Sequence, residues 1–410
     1  MSSHYEKSLS LFERASKVAP GGIYGHMSPA ACLPGASPYY AAKADGCRYW
    51  DVDGHEYIDF MCGYGPIILG YNHPEVDEAA AKQRELGNCF NHPTERFVEL
   101  VEKLVSLVDF ADWGVLAKNG GDVTTWAIQV AREHTKRKKI IRFKSSYHGV
   151  DPWCTPGHGG LIDEDREHIH SFAFNDLTAF EGLVDKYKGQ IAALIVSPWH
   201  HPVFADSAFG ADGFFAGLEK ICRAEGIVLI SDDIRGGFRL NIGGSHAEFG
   251  YTPDIVCFCK ALGNGYPISA ALGAEQLRVA ASKVFLTGSY WNSAVPMAAA
   301  LKTLEIIERD GVIAQLQQTG QRLADGLVKI GEKHGHEIRP SGPPAVPFYR
   351  LTEETNFVRQ QQWCAEAMKR GAFLHPHHNW FLCAAHTNAD IDAALQIADD
   401  ALAACVETWA

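Results

Sequence analysis

From about residue 66 to residue 275 the chain alternates short apolar runs with amphipathic helical patterns, and few folds accommodate that order. The runs at 140–143, 191–196, 227–231, 255–258 and 268–272 are rich in Ile, Val and Leu and too short to be helices. Strands of this kind separated by helices form a mostly parallel sheet covered on both faces, which places the chain in the α/β class. Ahead of them, residues 48–59 read as a hairpin turning at Asp53-Gly54. Behind them, 294–309 and 312–334 read as long helices, the second with Leu316, Leu323, Leu327 and Ile330 on one face. Residues 346–351 then read as a strand and 389–406 as a closing helix, with 340–347 as a loop. The two chain ends, 1–65 and 291–410, are therefore expected to form one smaller α+β domain, and 66–290 the large one.

Composition narrows the function classes. The net charge of -12, with one short basic run from Lys136 to Lys139, speaks against a nucleic-acid partner. No segment has the uninterrupted apolar length of a membrane span. The N-terminal stretch, with Tyr5, Leu9, Phe12 and Ala15 at helical spacing among Glu6, Glu13, Arg14 and Lys17, reads as an amphipathic helix and not as a signal peptide. Eleven scattered cysteines, with Cys257 and Cys259 in a buried run, read as reduced core thiols of a cytoplasmic protein.

Lys260 stands just past the run 255–258 and opens the Gly-rich tract Lys260-Ala261-Leu262-Gly263-Asn264-Gly265, while Asp232 closes the run 227–231. A lysine at a strand end is placed to form a Schiff base with an aldehyde. An acid ending a neighbouring strand can hold a protonated pyridine nitrogen, the pair that pyridoxal phosphate chemistry requires. For a lone lysine, a surface position after a core strand is the commoner reading. Two further tracts shift the balance. Asn119-Gly120-Gly121-Asp122 precedes a helical pattern through Ala127, Val130 and Ala131, and a helix start with close backbone approach is an anion site. Ser146-Tyr147-His148-Gly149 offers an aromatic face after a strand. Each alone is weak: an ordinary turn before a helix and a buried tyrosine at a strand end are the commoner readings.

In order, these tracts resemble the class III aminotransferases, and within them the glutamate-1-semialdehyde aminomutase subgroup. The resemblance runs from Leu11-Phe12-Glu13-Arg14-Ala15 and Pro20-Gly21-Gly22 through 50–59 and Leu69-Gly70-Tyr71-Asn72-His73-Pro74 to Ala384-Ala385-His386-Thr387. The tracts 22–26, Asp112-Trp113, Tyr290-Trp291 and 293–296 are similar to those of members that deaminate hydrolysed fumonisin, a long aliphatic amino polyol. The resemblance implies a fold type I enzyme with pyridoxal 5'-phosphate as cofactor. It assigns Lys260 as the covalent anchor and proton shuttle, Asp232 as the partner of the pyridine nitrogen, and Tyr147 and Ile234 as the clamp on the two ring faces. Gly120, Gly121 and Asp122 are to donate backbone N–H groups to the phosphate. Ser289, at the place of a family threonine, is to reach the phosphate of the neighbouring subunit, which implies a homodimer with shared active sites.

Departures from the pattern bear on substrate. The aminomutases carry an arginine shortly after Pro-Gly-Gly that holds the substrate carboxylate, whereas residues 23–28 here contain no basic residue except His26. Ser197 replaces a family glutamate, Val123-Thr124 stands for Glu-Ala, and Asp233 takes the second place of Asp-Glu-Val. Tyr24, Tyr64, Trp199, His200 and Trp380 are candidate pocket walls, and Arg235 a candidate for an oxo-acid carboxylate, with a structural salt bridge as its competing role. The expected substrates are a primary amine or amino alcohol and a 2-oxo acid such as pyruvate. Aminomutase and racemase or epimerase chemistry are the alternatives, and a cofactor-binding protein without catalysis is expected to have lost Lys260 or Asp232. His375-Pro376-His377-His378 lacks an acid or thiolate companion at ligand spacing, so a pocket edge or exposed loop is expected there and no metal.

Overall fold

The structure is a computed structural model that describes residues 4–23, 25 and 28–409. Two units emerge, one of residues 74–202 and 208–313, the other of residues 4–73, 203–207 and 314–409.

The first unit is built on a seven-stranded sheet in the order Trp113–Ala117, Ser269–Gly273, Ile255–Phe258, Val228–Asp232, Ile191–Val196, Lys139–Phe143, Ile169–Phe172. Only Ser269–Gly273 runs against the others, pairing antiparallel with both neighbours. The runs read as strands are strands. Their alternation fills both faces, as burial on two sides requires. Ile140, Ala193, Ile195 and Ile230 pack with Val123, Ala127, Val130 and Ala131 of the helix Gly120–Thr135. Ile141, Leu194, Val196 and Leu229 pack with Phe180, Phe214, Phe215 and Leu218 of the helices Leu177–Lys186 and Phe214–Glu225. With most strands parallel, their C-terminal ends gather at one edge, where ligands of such sheets bind.

Ala294–Arg309, expected with the chain ends, instead packs on Pro74–Leu86 within this unit. Its buried Met297, Ala300, Leu304 and Ile307 give it an apolar face that needs covering, and the division falls after Ile313.

The second unit joins the two chain ends through one sheet. Ala41–Asp45, Arg48–Asp51 and Glu56–Asp59 are antiparallel, and Ala372–Phe373 adds in parallel to Glu56–Asp59. The Asp53-Gly54 turn also fixes the first helix, Glu6–Ala15: the Asp53 carboxylate accepts the N–H of Lys7 at 2.6 Å and of Ser8 at 2.9 Å. These are orphan donors at a helix start. The loop expected at 340–347 is shorter, because Pro340 and Ser341 end the strand Ile338–Ser341, paired antiparallel with Phe348–Leu351. No helix among the described residues is long and apolar enough to cross a membrane.

Candidate active site

At the C-terminal edge of the seven-stranded sheet lies a cavity of about 420 Å³. Five strand ends furnish it. Asn119, Gly120, Gly121 and Asp122 come from the turn after Trp113–Ala117, and Tyr147, His148 and Gly149 from the loop after Lys139–Phe143. Ser197 and His201 follow Ile191–Val196, Asp232 with Ile234 and Arg235 ends the next strand, and Cys259 with Lys260 follows Ile255–Phe258. Eight residues singled out in the sequence thus meet in one cavity: Lys260, Asp232, Gly120, Gly121, Asp122, Tyr147, Ile234 and Arg235.

The electrostatics follow from burial. Taking an ammonium out of water, with the Arg235 guanidinium beside it, pulls Lys260 down to about 8. Burial pulls Arg235 itself down to about 10, against the opposing pull of Asp232 and Tyr147. Asp232 is 6 % exposed, and its Oδ2 lies 2.6 Å from Nδ1 of His148, which therefore carries the proton and donates. The backbone carbonyl of His148 accepts the Thr124 hydroxyl at 2.7 Å, and the His148 ring lies parallel to Trp153. Asp233 lies behind the cavity wall, its Oδ2 accepting the Ser245 N–H at 2.6 Å, and burial pushes it up to about 7.

The turn before the helix Gly120–Thr135 is closed by Asp122, whose Oδ2 accepts the N–H of Asn119 at 2.8 Å and of Lys118 at 3.2 Å. That carboxylate is thereby occupied in shaping the loop, while the first helical N–H groups stand at the cavity wall as an anion cradle. Two of its glycines leave no room for a side chain: a Cβ on Gly120 would meet Cδ1 of Ile234 at 2.5 Å, and one on Gly149 would meet Cα of Gly121 at 3.0 Å. A lysine of lowered basicity, an acid held by an imidazole, a helix-start cradle and an aromatic side chain suit a phosphorylated pyridine aldehyde. The residues present fit pyridoxal phosphate.

Other candidates lie elsewhere. His200 bridges to Ala208 and stacks on Phe174 at 5.2 Å, so its extended-chain neighbours point the other way. Of those, Trp199 is fully buried beside Gly236, and His201 reaches the cavity in its place. Burial, and then Arg235, hold the His201 imidazole well below its ordinary value, hence neutral. Tyr64 and Trp380 belong to the unit made by the chain ends. Tyr64 is partly exposed and edge-on to His375 and His378, and Trp380 is a core residue whose Nε1 donates to the His375 carbonyl at 2.8 Å. The histidine tract is buried, not an exposed loop: His375 Nδ1 accepts the N–H groups of His377 and His378, each at 3.1 Å, and so ties its own turn. Ser289 lies in an exposed turn, and Tyr24 lies outside the described residues.

His148 lines the cavity without having been assigned a role from the sequence, and Ser197 and His201 stand in the same wall. For His148 the available signal was its place beside the stacking tyrosine.

The family described as aminotransferase class-III matches residues 34–402. The chain is 41% identical over 400 residues to an aminopentol aminotransferase of Sphingopyxis macrogoltabida, covering 98% of this chain and 94% of the relative. It is 30% identical over 425 residues to a glutamate-1-semialdehyde 2,1-aminomutase of Syntrophobacter fumaroxidans, covering 97% of each. The solved structure of the PLP internal aldimine form of the Sphingopyxis sp. MTA144 FumI protein superposes with a TM-score of 0.96 at 40% identity, covering 98% of this chain and 97% of that one.

Proposed function

The chain belongs to the class III aminotransferases and is a fold type I, pyridoxal-phosphate-dependent transaminase, and on that premise we propose that it moves an amino group from a primary amine or amino alcohol on an apolar chain to a 2-oxo acid such as pyruvate. The observation that carries the assignment of roles is that Lys260, Asp232, Tyr147, Ile234 and the Gly120-Gly121 turn line one cavity.

Pyridoxal phosphate, when bound, supplies an aldehyde that takes up the amino group and a protonated ring that accepts electrons from the reacting carbon. Lys260 anchors it covalently, and once displaced its Nζ, with basicity lowered to about 8, removes a proton and returns it. Asp232 keeps the ring nitrogen protonated, and the His148 Nδ1–H holds that carboxylate in place. Tyr147 and Ile234 take the two ring faces, and the N–H groups at Gly120, Gly121 and Asp122 take the phosphate.

The donor side follows from what the cavity lacks and holds. No arginine follows Pro20-Gly21-Gly22 to hold a donor carboxylate, and the nearby imidazole, His201, is neutral. Arg235 is the guanidinium positioned for the carboxylate of the 2-oxo acid, a group its fork geometry suits. The likeness to an aminopentol aminotransferase supports the amino-alcohol class. We further propose a cytoplasmic homodimer in which Ser289 of one protomer serves the phosphate of the other.

The test is donor-dependent formation of alanine from pyruvate across a panel of alkyl amines, amino alcohols and amino acids. Amines and amino alcohols are expected to give alanine. Efficient isomerisation of glutamate-1-semialdehyde with no alanine from any amine would replace the reading with an aminomutase.

A further inference from the structure

In the unit built from the chain ends, two thiols and an imidazole converge. Sγ of Cys62, Sγ of Cys383 and a ring nitrogen of His386 all lie within 4.8 Å of one another, and each residue is 1 % exposed. Cys62 begins a turn in which Cys62, Gly63, Tyr64 and Gly65 all have positive φ, 48°, 64°, 65° and 103°. Side chains rarely adopt that region, and two of the four are not glycine. The Cys62 thiol donates to the Phe381 carbonyl at 3.4 Å, two residues before Cys383, and so stands against the partner segment. On the other side, Sγ of Cys383 is 3.3 Å from Nδ1 of His386, whose ring is held flat against Phe60 at 4.9 Å.

We propose that Cys62 and Cys383 form a reversible intramolecular disulfide, with Cys383 as the sulfur that is oxidised first and His386 as its base. The Cys383 thiol gives its proton to Nδ1, and the thiolate attacks a hydroperoxide. The O–O bond breaks, sulfur takes one oxygen as a sulfenic acid, and the departing hydroxide or alkoxide takes the proton back from His386. The Cys62 sulfur then attacks that of Cys383. The S–O bond breaks, and the hydroxide leaves as water with the Cys62 proton. Two thiols lose two electrons in all, and one peroxide bond is reduced. A dithiol reverses the change.

The other thiols make the contrast. Burial pushes up Cys32, Cys47, Cys154, Cys222, Cys257, Cys259, Cys364 and Cys405, whereas Cys62 and His386 hold Cys383 well below its ordinary value. A metal ion fits the same trio less well. No fourth donor joins the cluster among the described residues, whereas a closed structural zinc site has four.

The experiment is peroxide treatment of the full-length holoenzyme, alkylation of the remaining thiols, digestion without reduction, and mass mapping. The expected product is a peptide pair joined through Cys62 and Cys383, absent after dithiothreitol, with a higher Tm for the oxidised enzyme because the link closes a very long loop. Exposed Cys89 reports that peroxide has acted. In Cys62→Ser, Cys383 is expected to stop at a sulfenic acid that a dimedone probe captures, while in Cys383→Ser residue 62 stays a thiol. Oxidation of Cys89 with no Cys62–Cys383 link in the wild-type enzyme would overturn the proposal. If instead the reduced holoenzyme binds one zinc ion tightly and both serine variants lose it, the cluster is a metal site.

Discussion

Asp232 and Asp233 are neighbours in the chain and face opposite environments, so the same side chain has two fates. Asp232 faces the cavity and receives a proton-bearing imidazole nitrogen, while Asp233 is fully buried against Ser245. Asp232→Asn is expected to lower turnover on the order of a hundredfold or more, because an amide cannot compensate charge on the cofactor ring. Asp233→Asn is expected to retain activity and gain stability at alkaline pH. Burial raises the folded pKa of Asp233 to about 7, so the stability it contributes is complete below the ordinary carboxylate range and is lost as pH rises through about 7. Melting curves should therefore show Asp233→Asn above wild type at pH 8, with the gap closing toward pH 5. Greater loss of turnover in Asp233→Asn than in Asp232→Asn would show that the roles are reversed. Lys260 gives a second pH signature. A neutral amine is the nucleophile, and burial brings its midpoint from 10.5 to about 8, so cofactor capture by the cofactor-free enzyme should speed up with pH and level off above about 8. A midpoint that stayed near that of free lysine would count against the buried, Arg235-facing position.

The cofactor cradle is a property of an element, the helix Gly120–Thr135, and of what packs against its first turn. Because a Cβ at Gly120 would collide with Ile234, Gly120→Ala must displace the side chain assigned to one ring face. Overpacking of this kind costs about 1–3 kcal/mol, so cofactor affinity should fall roughly tenfold or more, measured by absorbance titration of the cofactor-free protein. Unchanged affinity would remove Ile234 from the site. The helix and five strands were legible because their apolar residues repeat at the right period or run together for the length of a strand. Trp113–Ala117 and Ile169–Phe172 were not: one is interrupted by Gly114 and the other mixes His170 and Ser171 into an edge strand. The same limit applies to the site. Lys260, Asp232 and the glycine turn could be read because their chemistry is tied to strand ends. The His148–Asp232 contact spans 84 residues of sequence, and the choice of His201 over Trp199 depends on which way one extended segment faces. Neither leaves a local pattern.

At the scale of the whole molecule, the proposed homodimer builds each site from two chains. The segment that carries Ser289 also carries Phe285, 85 % exposed, and Tyr290, 69 % exposed. Large aromatic side chains in water at the ends of one short loop are the kind of surface that the proposed partner protomer would cover. If Ser289 serves the neighbouring phosphate, each site draws Lys260 from one protomer and Ser289 from its partner. Mixing Lys260→Ala chains with Ser289→Asp chains tests this arrangement, the aspartate being chosen because its charge repels a phosphate. Each hybrid dimer then holds one site with both defects and one with neither. After unfolding and refolding together in equal amounts, half the dimers should be hybrids, and the mixture should recover about a quarter of wild-type activity although each parent is nearly inactive. A mixture no more active than its parents, with hybrids verified by native mass spectrometry, would mean that Ser289 acts within its own chain or not at all.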